Sequence, residues 1–137
     1  MKNLNKIILV VFMAVTFFSG CNKPSDPDLQ VMAVGEWTLI DLLMDDQSIY
    51  DGYYYSDAEF TLNLNNDKSC VFINYDGIGF IGTWSITGEA LVLTPSNQEL
   101  QPVNFDIMYT RPDRMGIQRT ITSNLIGTVV YTYILEK

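Results

Sequence analysis

Strict alternation of apolar and polar residues in short runs is the feature that most restricts how this chain can fold. The apolar members of three such runs are Phe60, Leu62 and Leu64; Ile78, Phe80, Trp84 and Ile86; and Val103, Phe105, Ile107 and Tyr109. A period of two places apolar side chains on one face of a strand and polar side chains on the other. We therefore expect antiparallel strands with one face toward a core and the other toward water.

Eight strands are predicted along the chain, at residues 36–43, 58–64, 69–75, 78–87, 89–94, 103–110, 114–122 and 127–135. The turn-forming sequences between them include Asn65-Asn66-Asp67-Lys68, Asp76-Gly77, Thr87-Gly88 and Arg111-Pro112-Asp113. Short turns between consecutive antiparallel strands make an up-and-down meander, and such a meander can close and remove its free edges. The expected fold class is all-β, a single antiparallel up-and-down β-barrel of about eight strands.

The first 20 residues have the pattern of a secretion signal. Lys2 and Lys6 precede an apolar run, Ile7 to Phe18, of about 12 residues, whereas a helix needs about 20 to cross a bilayer. We therefore expect residues 1–20 to be a cleaved signal peptide. Phe18-Ser19-Gly20-Cys21 resembles the lipobox of bacterial lipoproteins, which are cleaved before a cysteine whose sulfur carries a diacylglycerol. The resemblance implies that Cys21 is lipidated and that this lipid anchors the protein to a membrane.

Residues 21–33 are predicted to be a flexible tether, because Pro24, Ser25 and Pro27 are poor core formers. The barrel domain is expected to occupy residues 34–137. Asn22 follows the cysteine where many inner-membrane lipoproteins carry Asp, so the resemblance favours the outer membrane of a bacterial envelope. The sequence leaves open whether the domain faces the periplasm or the cell surface.

The chain has 16 acidic and 8 basic residues, which give a formal charge of −8. This excess of acid argues against a nucleic-acid partner, because such binding depends on Lys and Arg that neutralise phosphates. The chain has no histidine, the commonest general base and metal ligand, and no nucleophile-elbow, phosphate-loop or Cys-x-x-Cys motif. We expect no catalytic residue, no cofactor and no metal, and we expect Cys70 to be a small buried hydrophobic side chain.

Two tryptophan motifs connect the chain to a known family. Gly35-Glu36-Trp37 opens the first predicted strand, and Gly82-Thr83-Trp84 repeats its spacing in the middle of the domain. The first motif resembles the Gly-x-Trp of lipocalins and other calycins, and the pair resembles small lipocalin-like lipoproteins of Bacteroidetes. The resemblance implies that Gly35 and Trp37 plug one end of the barrel, beneath an arginine from a late strand. Arg119 is the candidate, because it alternates in phase with the apolar residues of its strand.

The segment Met44–Asp57 is the exception to the short turns, since its length of about 14 residues exceeds the usual four to six or so. It contains Tyr50, Tyr53 and Tyr55, whose rings and hydroxyls suit sugars, aromatic ligands or a protein surface. In lipocalins the corresponding loop covers the mouth of the cup, so the resemblance places ligand binding here. The alternative is an extra edge strand from Ser48 to Tyr55. The acids in the segment do not have the spacing of a calcium-binding loop.

Two functional classes remain open from these residues. The first is a binding protein that takes a small apolar or amphipathic ligand at the barrel mouth, with Arg119 as the counter-ion for an acidic ligand. The second is a non-enzymatic interaction module, such as an inhibitor or accessory subunit, that displays the tyrosine-rich loop to another envelope protein. Eight strands leave an interior just wide enough for side chains or one small ligand. We therefore expect a small cavity and a compact ligand, not a long acyl chain.

Overall fold

The computed structural model describes residues 27–50 and 60–137, and these residues form one short helix and nine strands. The helix α1 spans Pro27–Ala33; the strands are β1 Gly35–Met44, β2 Gln47–Ser48, β3 Thr61–Leu64, β4 Ser69–Ile73, β5 Gly79–Thr87, β6 Ala90–Pro95, β7 Val103–Thr110, β8 Arg114–Ser123 and β9 Gly127–Glu136. The predicted signal peptide, the predicted lipidation site Cys21, and two of the candidate tyrosines, Tyr53 and Tyr55, lie outside the described residues.

Each strand from β3 to β8 pairs antiparallel with the next one in the chain, and β1 pairs with both β3 and β9 and so joins the two ends of this sheet. The first residues of β1 pair with β3, where Trp37 lies opposite Leu62. The later residues pair with β9, where Leu42 lies opposite Tyr133. Eight strands therefore close into an antiparallel barrel with a lipocalin-like architecture, and the two-residue β2 lies beside the end of β1. The predicted all-β fold class is confirmed.

The barrel interior is the hydrophobic core. Its fully buried large side chains include Trp37, Leu42, Leu62, Leu64, Leu91, Leu93, Phe105, Met115, Ile117, Tyr133 and Leu135. They alternate with exposed residues, as in β5, where buried Gly82, Trp84 and Ile86 alternate with exposed neighbours. Cys70 is also buried and unpaired, and burial raises the pKa of its thiol. Hydrophobic packing, with no disulfide among the described residues, stabilises the fold.

Two of the predicted inward residues lie elsewhere. Ile78 is 72% exposed, because it belongs to the β4–β5 turn and not to the strand that follows. Tyr109 lies on the outer face, because the register of β7 against β8 shifts between Ile107 and Tyr109. Its ring there covers Gly116, where a Cβ atom would overlap the ring. The bulge thus reverses the alternation after Ile107, and the sequence pattern alone does not reveal it.

The packed domain begins before Val34, the boundary predicted from the sequence. Residues 27–33 form α1. Pro27 is in the first turn, where a backbone N–H would have no acceptor within the helix, so proline loses no hydrogen bond there. Asp28 lies near the positive end of the helix dipole. Ala33 is fully buried, and Leu29 packs against the core. This part of the predicted tether is therefore structured. No helix within the described ranges has the length and apolar character required to cross a membrane.

Candidate functional site

The end of the barrel that carries Trp37 and Trp84, here called the closed end, is filled by side chains. Trp37 is 1% exposed, and its indole Nε1 donates a hydrogen bond of 2.8 Å to the carbonyl oxygen of Ala33 in α1. Trp84 is 2% exposed, and its Nε1 donates to the carbonyl oxygen of Asn65 at 2.9 Å. Both indoles are therefore buried with their one polar atom satisfied, as buried tryptophan requires.

A lysine lies over each of these two rings and also holds α1. The Nζ atom of Lys137 is 4.5 Å from the Trp37 ring centroid and donates to the carbonyl oxygen of Met32 at 2.9 Å. The Nζ atom of Lys68 is 3.9 Å from the Trp84 ring and donates to Oε1 of Gln30 at 2.8 Å. Each ammonium group thus combines a cation–π contact with a hydrogen bond to the helix. These contacts hold α1 over the closed end.

The resemblance to lipocalins assigned the position over Trp37 to Arg119, but Lys137 occupies it. Arg119 lies opposite Tyr131 in β9, and Tyr131 lies opposite Met44, at the far end of β1 from Trp37. Gly35 contributes to the plug by its lack of a side chain, because a Cβ atom there would lie 2.6 Å from Cε of Lys137. The small residue therefore leaves space for the lysine that covers the ring.

The opposite end of the barrel, here called the open end, contains a cavity of about 210 Å³. It lies where β4 ends and where β5 and β7 begin, beside β8. The residues that line it are Phe72, Asn74, Asp76, Ile78, Gly79, Phe80, Leu100, Gln101, Val103 and Arg119. Phe72 and Phe80 lie with their ring centroids 5.5 Å apart and give the cavity an aromatic wall.

Arg119 brings a positive charge into this cavity. It is half-buried in β8, on the same face of the strand as the buried Ile117. Within the part of the chain that the structure describes, the ion pair of Arg114 with Glu136, at 3.7 Å, is the one salt bridge, and the Arg119 guanidinium takes part in none. The cavity therefore holds an arginine whose charge has no carboxylate partner among the described residues.

Tyrosines extend this polar and aromatic wall next to Arg119. Burial raises the pKa of Tyr133, nearby Tyr75 raises it further, and the positive charge of Arg119 acts in the opposite direction. The Tyr75 ring lies 6.4 Å from the rings of both Tyr131 and Tyr133. The hydroxyl of Tyr133 donates a long hydrogen bond of 3.5 Å to Oδ1 of Asn74, a cavity residue. The sequence does not indicate this group, because Tyr75 follows β4 whereas Tyr131 and Tyr133 belong to β9, and only closure of the barrel brings them together.

The candidate Tyr50 is half-buried and packs against the core. It follows a tight hairpin between β1 and β2, in which Asp45 and Asp46 both have positive φ angles of 47° and 64°. Asp45 also accepts a hydrogen bond of 3.0 Å from the backbone N–H of Val130. The predicted segment Met44–Asp57 therefore begins as an ordered hairpin fixed to β9, and the tyrosine in its described part is a packing residue.

Exposed apolar side chains occur in the turns at the open end. Ile78 is in the β4–β5 turn, Leu100 is in the β6–β7 loop, and Leu125 and Ile126 form the tip of the β8–β9 hairpin. Leu125 is 94% exposed and Ile126 is 65% exposed. Apolar residues at hairpin tips are uncommon, because turns usually carry polar residues. Groups of exposed apolar residues are typical of contact surfaces.

The comparisons with known proteins do not assign the chain to a family. A scan against models of protein families finds no match, and a search of curated proteins finds none either.

Proposed function

We propose that the chain is a lipid-anchored lipoprotein of the bacterial envelope, of the lipocalin-like kind found in Bacteroidetes, that binds a compact ligand at the open end of its barrel. The observation that carries this proposal is the cavity of about 210 Å³ between Phe80 and Arg119. It combines an apolar wall with a few convergent polar groups, which is the usual composition of a small-molecule site. The proposed role is binding and not catalysis.

The size of the cavity limits the ligand. Each water molecule in the liquid occupies about 30 Å³, so the cavity has the volume of about seven waters. This is room for a ligand of roughly ten non-hydrogen atoms and too little for a long acyl chain. The described core residues, such as Phe105 and Tyr133, are buried in the barrel interior.

Filling the cavity is expected to abolish ligand binding. Val103 lies in the cavity wall, opposite the buried Leu93, so its side chain is directed to the barrel interior. The substitution Val103→Phe adds a ring there, whereas Asn104→Phe adds the same ring to the exposed outer face. We expect Val103→Phe to lose at least about 90% of binding, because the ring occupies the ligand's volume. Titration calorimetry with small aromatic and aliphatic compounds measures this loss.

The Asn104→Phe variant is the matched control and is expected to bind as the wild type does. Thermal unfolding of both variants shows whether they remain folded. Equal binding by Val103→Phe and wild type, in variants of equal stability, contradicts a ligand site in this cavity.

The anchoring part of the proposal depends on Cys21, which begins the predicted mature chain. Replacement by Ser removes the sulfur that would carry the lipid, and we expect the Cys21→Ser protein to lose detergent-phase partitioning completely. The measurement is phase separation of cell extracts, with Cys70→Ser as the control that keeps the lipobox. Membrane association that persists in Cys21→Ser refutes the lipoprotein assignment and leaves the cavity proposal unaffected.

The second candidate function is an interaction module that contacts another envelope protein. The exposed apolar tips of Ile78, Leu125 and Ile126 favour it, because such residues in turns are typical of contact surfaces. The two functions differ in their sensitivity to mutation. Leu125→Ser and Ile126→Ser together impair a partner contact, whereas they lie outside the cavity wall and leave small-molecule binding intact.

A further inference from the structure

We infer that the ligand of the open-end cavity is a compact monocarboxylate with an apolar or aromatic body, whose carboxylate pairs with Arg119. This inference rests on the proposed function and narrows it to one chemical class. Arg119 lines the cavity, and its guanidinium forms no salt bridge within the described part of the chain.

The guanidinium of Arg119 is suited to a carboxylate. It is planar and offers parallel N–H donors that match the two oxygens of a carboxylate. The half-buried position in the cavity wall lowers the amount of water that competes for these donors. An anion that enters the cavity therefore supplies the bonds that the protein itself leaves unmade.

Asp76 lines the same cavity but does not neutralise Arg119. One of its carboxylate oxygens, Oδ1, accepts a hydrogen bond of 2.9 Å from the backbone N–H of Ile78 and so holds the β4–β5 turn. It forms no salt bridge with Arg119 within 4.0 Å. The cavity thus contains one positive and one negative group, and the negative group disfavours a second charge on the ligand. A single carboxylate satisfies Arg119 without a second repulsive contact.

The rest of the cavity wall defines the body of the ligand. Phe72 and Phe80 offer ring faces and edges to an apolar or aromatic group, and Val103 adds an aliphatic contact. Asn74 and Gln101 are the neutral polar residues of the wall, and their amides can donate to or accept from one polar substituent. A carboxylate joined to a small ring or branched chain meets all of these groups within the available volume.

Three probes of nearly equal size test the inference: benzoate, benzamide and benzylamine, which are negative, neutral and positive at neutral pH. Titration calorimetry with the purified protein compares their affinities. We expect benzoate to bind at least about tenfold more tightly than benzamide, because a hydrogen bond to a charged group is stronger than a neutral one. We expect benzylamine to bind most weakly. Equal affinities for benzoate and benzamide, or a preference for benzylamine, overturn the inference.

Two variants test which charged residue produces the preference for benzoate over benzamide. Arg119→Met keeps an apolar stem of similar length, and we expect it to bind benzoate no better than benzamide while its affinity for benzamide is retained. Asp76→Asn keeps the side-chain oxygen that accepts from Ile78, and we expect it to bind benzoate more tightly than the wild type. A preference for benzoate that survives in Arg119→Met contradicts the pairing with Arg119.

The outcomes separate this inference from the function on which it rests. If benzamide and benzoate bind equally, and Val103→Phe abolishes both, the cavity is a ligand site and only the carboxylate assignment fails. If none of the three probes binds at millimolar concentration, or if Val103→Phe leaves their binding unchanged, the cavity is not a ligand site and both proposals fail.

Discussion

Trp37→Ala is expected to destabilise the domain by about 3–5 kcal/mol, as the deletion of a large core aromatic residue does. The substitution removes a side chain that is 1% exposed, and it leaves the carbonyl oxygen of Ala33 without its 2.8 Å donor. It also removes the ring beneath Lys137. Domains of this size have a total stability of about 5–15 kcal/mol, so the variant is expected to be partly unfolded at physiological temperature. Urea unfolding followed by circular dichroism measures the change.

Two control variants separate the effects of the ring from those of general perturbation. Trp37→Phe keeps much of the apolar ring but loses the indole N–H, and we expect a smaller loss of about 1–2 kcal/mol. Leu125→Ala changes a residue that is 94% exposed, and we expect a change within about 0.5 kcal/mol. An unfolding midpoint for Trp37→Ala close to that of Leu125→Ala would show that the plug does not stabilise the fold.

Gly82→Ala is expected to lower the free energy of unfolding by about 3 kcal/mol or more, although it adds only a methyl group. Gly82 lies in the middle of β5, opposite Pro95, and a Cβ atom there would overlap the carbonyl oxygen of Thr94 and lie 3.0 Å from Cα of Pro95. These are backbone atoms of β6, so no side-chain rotation relieves the overlap, and the two strands must separate. Chemical unfolding again gives the magnitude.

Gly88→Ala is the matched control for Gly82→Ala. Gly88 forms the turn between the same two strands with a φ angle of +61°, and a Cβ atom there would meet nothing within 4 Å. Its replacement is expected to cost about 1–2 kcal/mol, the penalty of the left-handed conformation alone. If Gly82→Ala costs no more than Gly88→Ala, the close approach of β5 and β6 is not rigid.

The strands and the closure of the barrel could be predicted, because both depend on local patterns. Alternation of period two and turn sequences such as Asp76-Gly77 and Thr87-Gly88 are properties of neighbouring residues. Gly77 and Gly88 have the positive φ angles, 78° and 61°, that such turns require. The predicted strand at 103–110 has the same bounds as β7, and most others differ by one or two residues.

The residues that were not predicted depend on contacts between distant parts of the chain. Lys137 reaches Trp37 because β9 pairs with β1, and nothing near either residue in the sequence indicates this contact. The bulge before Tyr109 leaves the apolar pattern of β7 unchanged in the sequence while it turns the ring outward. The segment 27–33 is short and polar at its start, and the contacts that hold it as a helix on the barrel come from Lys68 and Lys137, far away in the sequence.

The position of α1 over the closed end determines at which end of the barrel the chain enters the domain. Because the two lysines hold the helix there, the chain enters the barrel at the end that carries Trp37, and the cavity beside Arg119 opens at the other end. A lipid on Cys21 would be joined to α1, which begins six positions later at Pro27, through a segment that spans at most about 20 Å. In an anchored protein the mouth would then point away from the supporting bilayer, so ligands would arrive from the aqueous side and not by lateral diffusion out of the lipid.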